Sequence, residues 1–215
     1  MPTIVAILNR KGGTGKTTIA TNISVALQKG GAKVLLVDSD PLGSARDWHT
    51  AGGGDSLPMI GLDRPTIDRD IKAVTGQFDW IVVDGAPLEV NMSVATIKCA
   101  DIVLIPVQPS PYDIWAVEDL VDVIKERQSI TGGKPKTAFV ISRQIKRTTL
   151  GNEVRDALTD YKLPVFEHGT FQRVIYAKAA ADGKSVIDAE PEGDAAKEVY
   201  LLIDELKKFK KGDKK

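Results

Sequence analysis

The chain has 215 residues, 42% hydrophobic and 27% charged, the balance of a soluble globular protein able to bury a sizeable core. Its 29 lysines and arginines match 29 aspartates and glutamates, so the formal net charge is +0 and no global field draws it to nucleic acid or membrane. A single cysteine, Cys99, excludes an internal disulfide, and with neither a signal-peptide layout nor an apolar run of roughly 18 residues the expected location is the cytoplasm.

In chain order, residues 3–8 form a continuously apolar, β-branched run and are predicted as a first strand buried on both faces. A glycine-rich loop follows, then helical spacing over 17–28 and a second strand at 33–37 ending in Asp38. Gly52-Gly53-Gly54 reads as a turn, 66–75 as a helix and 80–83 as a strand ending in Asp84. Cys99 lies among the apolar residues of 95–100 and is expected to be a small buried residue rather than a nucleophile. The strand at 102–107 runs into a segment stiffened by Pro106, Pro109 and Pro111, then a helix at 112–128. After the turn Gly132-Gly133-Lys134-Pro135 come a strand at 137–141, a helix at 150–159 and a basic stretch at 172–186. A last helix at 192–211 places Val199, Leu202, Ile203 and Leu206 on one face to dock on the core, ahead of a lysine-rich tail.

This alternation predicts one α/β domain spanning 1–215, with a mostly parallel sheet, helices on both faces and the chemistry on loops at the carboxyl ends of the strands. The first such loop, Arg10-Lys11-Gly12-Gly13-Thr14-Gly15-Lys16-Thr17-Thr18, has the strand–loop–helix context of a phosphate-binding loop. Glycines let successive N–H groups curl around phosphate oxygens, and the following helix adds its positive dipole. Lys16 is placed for the β- and γ-phosphates, and the Thr17 hydroxyl for Mg²⁺. Asp38 and Asp84, each ending an apolar strand, bring charge near that cation.

Arg10 occupies the first glycine position of the common G-x-x-x-x-G-K-[ST] pattern, and a second lysine, Lys11, opens the glycine run. The loop thereby resembles the deviant Walker A motif of the ParA/MinD family, whose early lysine crosses a dimer interface to the nucleotide held by the other subunit. Val37-Asp38-Ser39-Asp40-Pro41 resembles the family's second acidic motif, and Ile81-Val82-Val83-Asp84-Gly85-Ala86-Pro87 its Walker B. The resemblance covers most of the chain. It implies an ATPase with ATP and Mg²⁺ as cofactors, in which Lys11 acts in trans, Lys16 binds phosphate and Asp40 orients the attacking water. Asp38 and Asp84 would hold Mg²⁺ directly or through its water shell; a turn before Pro41 is the competing reading of Asp40. Residues 105–113 would lie near the nucleotide and the dimer contact, with a plain proline-punctuated connection as the competing reading, and Ser142-Arg143-Gln144 would approach the adenine or its neighbour.

With its first strand at residue 3, the sequence is similar to the small partition ATPases without an N-terminal helix-turn-helix. Those form homodimers with ATP, bind nonspecific DNA on the nucleoid, and leave it when a centromere-binding or adaptor partner stimulates hydrolysis. Arg173, Lys178 and Lys184 are the favoured DNA contacts, with Arg143, Lys146, Arg147, Lys207, Lys208, Lys210 and Lys211 also available. Each has solvated surface charge as its competing reading. The cargo is left open among plasmid, chromosome, carboxysome-like compartment and chemotaxis cluster. Two alternatives are a membrane-associated positioning ATPase of the MinD kind, not favoured because only Phe209 is apolar beyond Leu206, and a metabolic P-loop ligase. His49, His168, Trp48, Trp80 and Trp115 are assigned to packing or surface.

Overall fold

A computed structural model describes residues 1–87, 90–146 and 148–212; Arg147 and the last three residues of the tail lie outside them. Among the described residues, six strands form one sheet: β1 (Thr3–Ile7), β2 (Val34–Asp38), β3 (Met59–Gly61), β4 (Trp80–Asp84), β5 (Ile102–Val107) and β6 (Lys136–Ile141). Their order is β3-β2-β4-β1-β5-β6 and every pairing is parallel, as the alternating pattern predicted. The helices are α1 (Lys16–Lys29), α2 (Ser44–Ala51), α3 (Ile67–Asp70), α4 (Val90–Cys99), α5 (Pro111–Trp115), α6 (Glu118–Thr131), α7 (Leu150–Thr159), α8 (Val174–Ala181), α9 (Val186–Ala189) and α10 (Asp194–Lys211).

Successive strand residues point to opposite faces, so a continuously apolar strand feeds two cores at once. Val5 and Ile7 join one cluster with side chains from α1, α2, α8, α9 and α10. Ile4, Ala6 and Leu8 join the other, with α3, α4, α6 and α7. The expected stripe Val199, Leu202, Ile203 and Leu206 on α10 is buried in the first cluster. Carboxylates on α10 also secure the loop after α7: Glu205 accepts the backbone N–H groups of Glu167 and His168 at 2.7 and 2.9 Å. No helix among the described residues is long and apolar enough to cross a membrane.

Several elements differ from expectation. The predicted helix at 66–75 is one α-turn followed by two 3₁₀ turns, although Ile67 and Ile71 are both fully buried as the spacing required. The predicted helix at 112–128 is two helices, α5 and α6, separated at Ala116 and Val117, whose ψ angles of −11° and −12° open the helical turn. Sequence reading missed β3, three residues at a sheet edge, and α2, a polar helix that buries only Ala45 and Trp48. Cys99 is half-buried rather than enclosed; burial nevertheless pushes its thiol up to about 12, which leaves it inert as a nucleophile.

Backbone meets backbone where the end of α2 crosses the turn after α8. A Cβ on Gly183, at φ +62°, would stand 1.9 Å from the Gly52 nitrogen and 2.4 Å from its Cα. Gly183→Ala is therefore expected to lower stability by about 2–4 kcal/mol. Gly76→Ala, whose Cβ meets nothing within 4 Å, should change it by less than ~0.5 kcal/mol. Urea denaturation of the two variants checks the contrast, and equal losses would refute the close-approach argument.

Candidate functional site

The loop after β1 is built from the backbone outward. Asn9 donates its amide to the Pro106 carbonyl at 2.8 Å and accepts the Lys11 N–H at 2.8 Å, which staples the start of the loop to β5. Gly13 and Gly15 take φ of +76° and +94°, left-handed values that an L side chain resists, and these turns aim the chain into α1. Ser142 and Gln108 then grip the loop from the neighbouring strand ends, donating to the carbonyls of Thr14 at 2.7 Å and Gly13 at 2.7 Å. The result is a concave run of backbone N–H groups at a helix N-terminus, suited to an anion of several oxygens.

Lys16 is buried and donates to the Lys11 carbonyl at 3.1 Å. Burial lowers its pKa, with Asp84 and Asp40 pulling the other way. Asp38 and Asp84 end adjacent strands in direct register, but their surroundings differ. One Asp38 oxygen accepts the Asp40 N–H at 2.9 Å, and the other accepts the Arg46 N–H at 3.0 Å with the Arg46 guanidinium 3.4 Å away. Both Asp84 oxygens are buried without a hydrogen-bond partner. Burial, reinforced by nearby Asp38, raises the Asp84 carboxyl to about 7, against the opposing pull of the Thr17 hydroxyl and the Lys16 ammonium.

An orphaned, buried carboxylate beside a threonine hydroxyl and a phosphate-binding loop fits a hard divalent cation that keeps most of its water. Among the described residues no group of three or more His, Cys, Asp and Glu side chains converges, so an all-protein metal cage is not offered there. Asp40 closes the turn that was its competing reading, accepting the Leu42 N–H at 2.9 Å, while its charge still reaches Lys16. Arg46, absent from the sequence reading, ties this segment together by donating to the Asp40 carbonyl at 2.8 Å and pairing with Asp38 and Asp63.

Two cations of the loop are paired within the chain. Lys11 reaches buried Asp113 at 2.6 Å, and Arg10 pairs with Asp119. Asp113 was not foreseen; the signal was an acidic residue just past a proline-stiffened strand exit, the segment expected near the nucleotide. On the same short helix, Tyr112 and Trp115 stack edge to face and are 72% and 65% exposed.

The structure thus brings residues 10–18, Asp38, Asp40 and Asp84 to one end of the sheet. The basic residues separate. Lys178 and Lys184 are exposed on and after α8. Arg173 is half-buried, its guanidinium 2.6 Å from Glu198 and 3.0 Å from Asp194. Arg143, at φ +51°, and Arg173 border a cavity of about 150 Å³ beside Gly15 and Thr18.

Comparison with known proteins accords with this geometry. The CobQ/CobB/MinD/ParA nucleotide binding domain matches residues 5–186. The "Maintenance of carboxysome distribution protein A" of Halothiobacillus neapolitanus is 32% identical over 209 residues, 94% of this chain and 95% of that protein. The "Sporulation initiation inhibitor protein Soj" of Bacillus subtilis is 27% identical over 94% of this chain and 96% of that protein. In fold, the septum site-determining protein MinD of Pyrococcus horikoshii, solved with Mg-ADP, superposes with a TM-score of 0.76 at 21% identity, covering 97% of each chain.

The Asp84 environment has a measurable consequence. Between its ordinary 3.8 and about 7 the folded chain holds a proton that the unfolded chain releases, so this group's contribution to stability falls as pH rises through that window. The full effect is roughly 4 kcal/mol by linkage. Without Mg²⁺ or nucleotide, Asp84→Asn should therefore be more stable than wild type at pH 8 by up to that amount, and the gap should close toward pH 4. Denaturant titrations of both proteins at successive pH values check it; a gap that does not vary with pH would place the proton elsewhere.

Proposed function

The chain belongs to the CobQ/CobB/MinD/ParA nucleotide-binding family, and on that premise we propose that it is an ATP-driven positioning ATPase. It binds Mg·ATP in the loop of residues 10–18, pairs with a second copy in that state, and moves a large cargo. The observation that carries this reading is the pair of left-handed glycines aiming a buried lysine past Asp84, whose carboxylate has no partner. Backbone N–H groups and Lys16 hold the phosphates, and Thr17 holds the cation. Asp84 is the better placed of the two strand-end aspartates to act through the cation's water, because the Asp38 oxygens are already occupied. Asp40 orients the attacking water, and Lys11 leaves Asp113 to reach the partner's nucleotide. The exposed Tyr112–Trp115 pair, beside Asp113, supports a second copy as the occupant of that face.

The resident surface is nonspecific DNA of the nucleoid, met in the ATP state by Lys178, Lys184 and the lysines near the end of α10. Arg173 joins that group only by leaving its ion pairs. An adaptor on the cargo stimulates hydrolysis and releases the protein. Similarity over nearly the whole chain to a protein named for carboxysome distribution supports a protein compartment as the cargo as readily as a DNA element.

Three variants separate the roles. Lys16→Ala should lose nucleotide binding. Asp40→Ala should bind ATP and dimerise, with hydrolysis slowed on the order of 10²-fold. Lys11→Ala should bind ATP as a monomer. Phosphate release and light scattering read these outcomes, and normal turnover by Asp40→Ala would remove its catalytic role. Binding to random duplex DNA should require ATP and weaken steeply with salt; a protein that binds DNA in no nucleotide state is not a nucleoid-borne positioner.

A further inference from the structure

One carboxylate on the last helix collects three hydrogen bonds and an ion pair from a six-residue stretch. Glu198 of α10 is buried. Its Oε1 accepts the Nε–H of Arg173 at 2.6 Å, with Nη2 of the same guanidinium paired to it at 2.6 Å. Its Oε2 accepts the Phe171 N–H at 3.1 Å and the Tyr176 hydroxyl at 3.1 Å. Asp194, one turn earlier, shares Nη2 of Arg173 with Glu198, at 3.0 Å, and pairs with the Lys146 ammonium at 3.0 Å.

Phe171, Arg173 and Tyr176 all line the cavity beside Gly15 and Thr18, together with Arg143, Thr170 and Gln172, whereas Glu198 does not line it. At about 150 Å³ this cavity is smaller than the roughly 300 Å³ at which drug-sized sites begin. It has room for a heterocycle but not for a whole nucleotide, and Gly15 and Thr18, at the end of the loop and the start of α1, form part of its lining. Its lining includes Phe171, the Arg173 guanidinium 5.9 Å over the Phe171 ring, and Tyr176. Burial and the Glu198 charge push the Tyr176 phenol up, so it stays a donor. Without Glu198, Arg173 loses its main counter-charge, Tyr176 its acceptor, and the Phe171 N–H its partner. A buried donor left unpaired costs about 1–3 kcal/mol, enough to rearrange a wall held by so few contacts.

We propose that Glu198 is a positioning residue for base recognition: from α10 it sets Phe171, Arg173 and Tyr176 as the wall that receives the nucleoside part of a nucleotide whose phosphates occupy the loop. This rests on the Mg·ATP reading above. Binding energy then divides between two places, the loop for the phosphates and this wall for the base and ribose. Glu198 governs the second without touching the ligand.

The test titrates the full chain by calorimetry with Mg·ATP and with Mg·tripolyphosphate, which carries the phosphates and lacks the nucleoside. Wild type should bind both. Glu198→Ala should lose at least about tenfold in ATP affinity, equivalent to about 1.4 kcal/mol, and less than about twofold for tripolyphosphate. Glu198→Gln, which can accept hydrogen bonds but cannot balance Arg173, should fall between. Tyr176→Phe deletes one hydroxyl and carries the test if Glu198→Ala does not fold, with an expected ATP loss of about threefold. Equal losses for the two ligands would mean general damage to the fold and would overturn the proposal, as would variants that bind ATP like wild type. A wild-type chain that binds neither ligand overturns the Mg·ATP reading itself, and the proposal falls with it.

Discussion

The Asp84 carboxylate lies buried at the end of β4, both oxygens without a hydrogen-bond partner, beside Asp38 in register on β2. Two carboxylates this close in a low-dielectric interior cannot both hold a charge at neutral pH without compensation. The surrounding sequence is arranged around that conflict. Burial raises the Asp38 carboxyl, and the guanidinium of Arg46 with two backbone N–H groups opposes that shift and fixes the path from β2 into α2. Asp84 has only the Thr17 hydroxyl and the Lys16 charge to oppose its burial, and the charged form of that lysine is itself disfavoured by burial. A site arranged in this way is stabilised by positive charge placed beside Asp84, which a divalent cation would supply.

The fold was legible because its strands are apolar on both faces, which is the signature of a parallel sheet covered by helices. Five of six strands and the long helices α1, α7 and α10 were found within a few residues. Two of the elements that escaped had little apolar surface to announce them, α2 with two buried side chains and β3 at a three-residue edge, whereas α4 escaped although it buries Met92, Ala95 and Ile97. The misjudged helices had correct spacing and the wrong continuity. Ile67 and Ile71 point inward as helical spacing demands, yet the chain tightens into 3₁₀ turns before Gly76.

The site divides along the same line. Residues 10–18, Asp38, Asp40 and Asp84 are close in sequence to strand ends, and local pattern sufficed to find them. Asp113, Gln108 and Ser142 reach their partners across long separations, such as the 128 residues between Ser142 and Thr14, and local periodicity carries no trace of such pairings. Arg173 shows the converse limit. Its charge was visible and its fate was not, because the carboxylates that hold it belong to a helix two elements further along.

The loop from Glu167 to Arg173 is pinned by two carboxylates one heptad apart on α10, Glu198 and Glu205. The same helix places Ala195, Ala196, Val199, Leu202, Ile203 and Leu206 in the core that the buried residues of α1 also fill. The helix that follows the phosphate loop and the loop that walls the cavity therefore lean on one shared support. A disturbance that shifts α10 would reach both sides of the cavity at once, and neither could adjust alone.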